Sequence, residues 1–211
     1  IWSYLLPNAD IPMILGIGCT FWFGAALMVM MYPRSKQRVD GKCIKLGFGL
    51  LVLIPAYAAL LYLRRHEAHL LLTALLVTSI WAADVGAYFV GRQFGTTKLA
   101  PNVSPGKSWE GLVGGVIIAL VIGTLGASLA EPSHQLFSPI AWFVLPGIVV
   151  ITVLFSVLGD LFESLIKREQ GVKDSSSLLP GHGGVMDRID SLTAATPVFA
   201  LSVHFTGWPS L

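Results

Sequence analysis

Charge is scarce in this sequence: Asp, Glu, Lys and Arg make up 12% of its 211 residues, about half of the roughly 25% usual in soluble domains. Apolar residues reach 54%, which excludes an ordinary soluble globule. Cysteine is almost missing as well. Cys19 sits in an apolar run and Cys43 in a basic loop, a pair that suggests neither a disulfide framework nor a zinc site. The net charge of +2 argues against a nucleic-acid-binding domain, and the apolar content against a disordered tail. No basic n-region or small-residue cleavage site opens the chain, and its first residue is Ile1. It therefore reads as lacking a secretory signal and as a fragment whose true N-terminus lies upstream. Within these 211 residues no repeat of fixed period or low-complexity tract is evident, and none of them reads as a soluble domain.

What the sequence does have is long apolar runs. A hydrocarbon core about 30 Å thick takes about 20 apolar residues per helical crossing, and five stretches qualify: Ile11–Tyr32, Leu46–Leu63, Leu70–Val90, Leu112–Ala130 and Pro139–Leu158. A sixth, from Leu192 to Phe205, is short for a span, so its helix is expected to begin earlier, in the polar segment that ends with Asp187 and Asp190. The expected fold is an all-α polytopic membrane protein with about six transmembrane helices. Residues 1–45 are expected to form a first transmembrane helix and a basic cytoplasmic loop, and residues 46–211 a transmembrane domain that carries the functional site.

The basic residues give the orientation, because short cytoplasmic loops collect Lys and Arg. Arg34, Lys36, Arg38, Lys42 and Lys45 follow the first run; Arg92, Lys98 and Lys107 the third; Lys167, Arg168, Lys173 and Arg188 the fifth. The connection Glu131–Ser138 has none. Only Arg64 and Arg65 break the alternation, and these are expected to snorkel to the far headgroups. The polar segments Gly91–Gly111 and Gly159–Ser191 thus share one face, expected to be cytoplasmic.

Ten of the 14 basic and 12 acidic residues lie between 160 and 190. A solvated loop would explain their number but not their spacing. Asp160, Glu163 and Lys167 recur at i, i+3 and i+7, one face of a helix that continues the fifth run, and Asp187 and Asp190 share a face at the start of the sixth. Clustered oxygen ligands among cations suit Mg²⁺ bound together with phosphate groups, as one cation or a pair. Between them runs Leu179-Pro180-Gly181-His182-Gly183-Gly184, whose glycines permit the positive φ that lets N–H groups line a phosphate. Alone it would read as a connector; beside the carboxylates it reads as phosphate-binding, with His182 as a hydrogen-bonding candidate.

Gly106-Lys107-Ser108 looks like the end of a P-loop but is not one. The position five before that glycine is Pro101, and no strand is expected ahead of it. Lys107 and Ser108 could still donate to an anion at the N-terminus of the helix that follows. Asp84 lies inside the third run, where a carboxylate is costly and marks a functional hypothesis; the bland alternative is a group that locks helices together. It is expected to join the metal ligands.

At Ser164-Leu165-Ile166-Lys167-Arg168, then Lys173-Asp174 and Leu179-Pro180-Gly181-His182-Gly183-Gly184-Val185-Met186-Asp187-Arg188-Ile189-Asp190, the sequence resembles the signature of the phosphatidate cytidylyltransferase, or CDP-diacylglycerol synthase, family. The resemblance continues upstream through Ala83-Asp84-Val85-Gly86-Ala87-Tyr88, Lys98-Leu99-Ala100-Pro101, Ser104-Pro105-Gly106-Lys107-Ser108 and Ser156-Val157-Leu158-Gly159-Asp160. It implies the reaction of CTP with phosphatidic acid to give CDP-diacylglycerol and pyrophosphate, dependent on Mg²⁺. On this basis Asp160, Lys167, Asp187 and Asp190 are assigned as catalytic, and Asp84, Asp160, Asp187 and Asp190 as metal ligands. Lys98, Ser104, Lys107, Ser108, Arg168, Lys173, Asp174, His182, Gly183, Gly184 and Arg188 are assigned to substrate. Membrane lipid and a second copy of the chain are the other expected partners, and nucleic acid is not one.

Two other readings use similar residues. A CTP-dependent lipid kinase would need the same nucleotide and cation, and analysis of the lipid product separates it. A secondary transporter would place its charges near the bilayer midplane, whereas only Asp84 lies within a run.

Overall fold

The computed structural model describes residues 10–33, 41–130, 139–172, 174–176, 178 and 183–208. Among these, six helices and one small hairpin follow in order: α1 Ile11–Met30, α2 Lys42–Arg65, α3 His69–Phe94, β1 Lys98–Ala100, β2 Ser104–Ser108, α4 Trp109–Ala130, α5 Pro139–Glu169 and α6 Met186–Thr206. Five of the helices, α1 to α5, are long and apolar enough to cross a membrane. A sixth helix, α6, forms at the expected sixth run but is not apolar enough to count among them; it begins at Met186, ahead of its apolar part, so that Asp187 and Asp190 lie in its first turns.

The interior is built from small and aliphatic residues drawn from every helix. Leu15, Leu72, Leu76, Leu145, Val153, Ala195 and Phe199 are buried together. A second group, with Trp22, Phe155, Phe162 and Val198, closes α1 against α5 and α6. Large apolar side chains such as Phe143, Leu129 and Met30 stay at least 80% exposed, as lipid-facing positions do when the solvent is hydrocarbon.

The tightest pairing joins α3 to α4, and glycine makes it possible. A Cβ on Gly115 would lie 2.6 Å from the Ala83 carbonyl oxygen, one on Gly111 would lie 2.9 Å from that of Ala87, and one on Gly86 would lie 3.1 Å from the Gly115 Cα. Small residues at four-residue intervals on both helices let the backbones meet, which is how membrane helices associate when no hydrophobic drive separates protein from lipid.

α5 is 31 residues long, about 46 Å at 1.5 Å per residue, so its last turns project beyond a hydrocarbon layer of about 30 Å. Asp160, Glu163 and Lys167 are therefore carried past the span on a continuous helix, as their spacing predicts. Gly159 admits α6 here: a Cβ on it would stand 2.5 Å from the Asp190 carbonyl oxygen.

The hairpin is the departure from an all-α reading. β1 and β2 pair antiparallel, with Lys98 opposite Ser108 and Ala100 opposite Ser104. A strand thus precedes Pro101, contrary to expectation. Gly106 and Lys107 lie within β2 itself, so the triplet is still not a phosphate-cradling loop.

Candidate active site

α3, the hairpin, α4, α5 and α6 enclose a cavity of about 760 Å³. Its lining changes character from one part to another. Lys107, Asp160, Glu163, Lys167, Asp187, Arg188 and Asp190 supply its charged lining, while Val77, Ile80, Trp81, Leu112, Val157 and Leu192 supply apolar lining, in part further along the same helices. On α3 the residues Val77, Ile80, Trp81, Asp84 and Ala87 form a stripe at i, i+3, i+4, i+7 and i+10, a single helix face. Asp84 is open to this cavity, so an acid inside a span is housed by facing a polar space rather than lipid.

Lys107 reaches across from β2, its Nζ 2.8 Å from Oδ2 of Asp160 on α5; Ser164 Oγ donates to the other oxygen of Asp160 at 3.2 Å. One turn further along α5, Lys167 donates to Glu163 Oε2 at 2.6 Å and to Asp187 Oδ1 at 2.7 Å. That lysine welds the end of α5 to the start of α6.

Asp187 is saturated. Besides Lys167, it accepts from the Ser175 hydroxyl at 2.7 Å, the Ser175 N–H at 3.0 Å and the Gly184 N–H at 2.7 Å. Burial pushes its carboxyl up, but the bonds from Lys167, Ser175 and Gly184 outweigh this and hold it below the usual carboxylate range. Gly183 adopts φ +78°, the left-handed backbone that the glycine pair was expected to need. The Gly184 N–H that this turn presents is given to Asp187 and not held open for a phosphate.

Other assignments divide. Ser108 borders the cavity, but its buried Oγ accepts the Gly111 N–H at 3.1 Å, so it caps α4. Lys107 and Arg188 line the cavity with the four residues assigned as catalytic. Lys98, Ser104, Arg168, Asp174, Gly183 and Gly184 do not border it. Lys173 and His182 lie outside the described residues. Glu163 and Ser175 were not assigned, although the first could have been found as the carboxylate one helical turn before Lys167.

Asp84, Asp160, Asp187 and Asp190 share one cavity, yet among the described residues no three His, Cys, Asp or Glu side chains gather into a cation cage. Asp187 is spent on hydrogen bonds, which departs from the expectation of one four-carboxylate ligand set. Asp84, Asp160 and Asp190 remain as oxygen donors on three separate helices. Such a set fits Mg²⁺, which is commonly held by one or two carboxylates together with substrate phosphates.

Helices of membrane-spanning length around a cavity lined by both charged and apolar side chains define an integral membrane protein. The profile of the Cytidylyltransferase family matches residues 3–206, and the chain belongs to that family. Among its curated relatives, a Pseudomonas aeruginosa protein named phosphatidate cytidylyltransferase is 46% identical over 97% of this chain and 73% of its own length. A Haemophilus influenzae protein of the same name is 48% identical over 91% of this chain and 69% of its own. One from Bacillus subtilis is 46% identical over 56% of this chain and 42% of its own.

Proposed function

We propose that this chain transfers the cytidylyl group of CTP to phosphatidic acid, giving CDP-diacylglycerol and pyrophosphate. The observation that carries this reading is one cavity of mixed lining: Lys107, Lys167 and Arg188 beside carboxylates, together with the apolar Val77, Ile80 and Trp81. It holds a phosphorylated headgroup and a diacylglycerol body together. The names of the relatives support it.

The attacking group needs no base. A phosphate monoester with a second pKa of about 6 is mostly dianionic at neutral pH. Its oxygen forms a bond to the α-phosphorus of CTP while the bond to the β-phosphate oxygen breaks, and pyrophosphate leaves with that electron pair. What remains for the protein is alignment and charge compensation. Lys107 exchanges Asp160 for a phosphate oxygen, Arg188 neutralises a second, and Lys167 keeps the α5–α6 junction rigid through Glu163 and Asp187. Asp84, Asp160 and Asp190 would hold Mg²⁺, which supplies charge neutralisation for the phosphates when bound.

The cavity opens on the cytoplasmic face in this reading, since the basic segments around Lys98–Lys107 and Lys167–Arg188 flank it. Cysteine replacements of Ser176 and Glu67 should label from opposite sides of right-side-out vesicles. Labelling from one side would overturn the orientation. The reaction is tested by incubating purified protein with labelled CTP, phosphatidic acid and Mg²⁺ and separating the lipids. A labelled CDP-lipid is expected. A new phosphate monoester in its place would mark a lipid kinase.

A further inference from the structure

Three-residue β1 and five-residue β2 make a hairpin too small to be stable by pairing alone, and its register is irregular between Lys98 and Ala100. It nevertheless delivers Lys107 to the cavity. Its turn is anchored by Val103, buried in the core with Leu99 and Ala100 packed against it, and its base is tied separately, to the first turn of α4. Glu110 accepts the Thr96 hydroxyl at 2.6 Å and the Thr97 N–H at 3.0 and 3.2 Å, while the Trp109 N–H donates to the Thr97 carbonyl at 2.9 Å. The chain entering the hairpin is thereby tied to the chain leaving it. Glu110 itself does not line the cavity.

We propose that Glu110 is a positioning residue: by clamping Thr96 and Thr97 to the head of α4, it sets the hairpin so that the Lys107 ammonium reaches the phosphate-binding wall. Its catalytic consequence rests on the cytidylyltransferase reading. A carboxylate in a first turn also favours its helix through the macrodipole, but that effect is shared by Asp. The clamp needs the length of Glu. Gln keeps one acceptor oxygen and one carbonyl geometry, so it should rescue in part where Asp does not.

The test is a double-mutant cycle with Lys107, because a residue acting through another loses its effect when that other is gone. Glu110→Ala should lower kcat/KM about tenfold in the parent chain and less than about twofold in a Lys107→Ala background. Glu110→Asp should behave like Ala, and Glu110→Gln should fall between Ala and the parent. Hydrogen–deuterium exchange, which needs no turnover, should show the Thr97 amide exchanging faster in Glu110→Ala. An equal loss in both backgrounds, or unchanged Thr97 exchange, overturns the proposal. Should Glu110→Ala fail to fold, Thr96→Val removes only the 2.6 Å bond and carries the same cycle. A parent chain that makes no CDP-lipid would refute the reaction, while the exchange measurement would still decide the clamp.

Discussion

The Lys107 ammonium and the Asp160 carboxylate meet at 2.8 Å, joining a hairpin between α3 and α4 to the projecting end of α5. Both side chains are partly open to the cavity, at 25% and 35%. An ion pair this exposed contributes about 0–1 kcal/mol, so its worth lies in holding both groups beside the substrate. Lys107→Met is expected to raise KM for CTP about tenfold with little change in melting temperature, and Lys107→Arg to restore part of the loss. A large fall in melting temperature in Lys107→Met would assign the pair to stability instead.

Asp187 should behave in the opposite way. Its partners, Lys167, Ser175 and Gly184, are internal, and an amide in its place turns a donor toward groups that already donate. Asp187→Asn is expected to cost on the order of 2–4 kcal/mol of stability. Because its folded carboxyl is held below the usual range, its contribution is complete above the unfolded value of about 3.9 and fades as pH falls below that. Melting temperatures of the parent and Asp187→Asn should therefore keep a constant separation from pH 7 to about pH 5 and begin to draw together as pH falls below about 4. A separation that does not shrink toward pH 3 would show that Asp187 has no such role.

For Asp84 the question is ligand or lock. A carboxylate in a span costs roughly 2.5–3.5 kcal/mol on insertion scales, and its opening to the cavity points to use. Asp84→Asn should lower turnover and raise the Mg²⁺ midpoint, since a negative donor is lost while shape is kept. An unchanged midpoint and rate, with an unchanged melt, would leave Asp84 outside the chemistry.

The seam of α3 and α4 predicts a steep size limit. Gly115→Val places carbon against the Ala83 carbonyl, where even a Cβ would lie 2.6 Å away, and should cost more than the 1–3 kcal/mol typical of overpacking. Gly126→Ala, whose Cβ would meet only a Leu75 methyl at 3.9 Å, should be tolerated. Detergent melts of both variants make the comparison.

The spans and the α5–α6 junction were legible because their signals are local: runs of about 20 apolar residues, and acids and bases at helical intervals. Even the early start of α6 followed from the shortness of its apolar part. The hairpin was not legible, since Lys98-Leu99-Ala100 has no β-branched residue and the Thr96-Thr97 segment that leads into it is held by Glu110 from the far side of the turn. The role of Asp187 was hidden for a related reason. Its i, i+3 spacing to Asp190 marks a shared face, but the Ser175 and Gly184 donors that occupy it come from an irregular segment without periodicity.

The surplus length of α5 makes the protein sensitive to the thickness of its host bilayer. A rod of about 46 Å in a slab of about 30 Å stays overlong even at a tilt of about 40°. Longer lipid tails would draw Asp160 and Lys167 toward the headgroup plane; shorter ones would lift them into water. Turnover measured across vesicles of graded chain length should therefore peak at one thickness, and a flat profile would show that neighbouring helices hold α5 at a fixed depth. With such a peak, the stretch between Pro139 and Asp160 would act as a depth gauge that sets how far the charged end of the cavity stands from the bilayer.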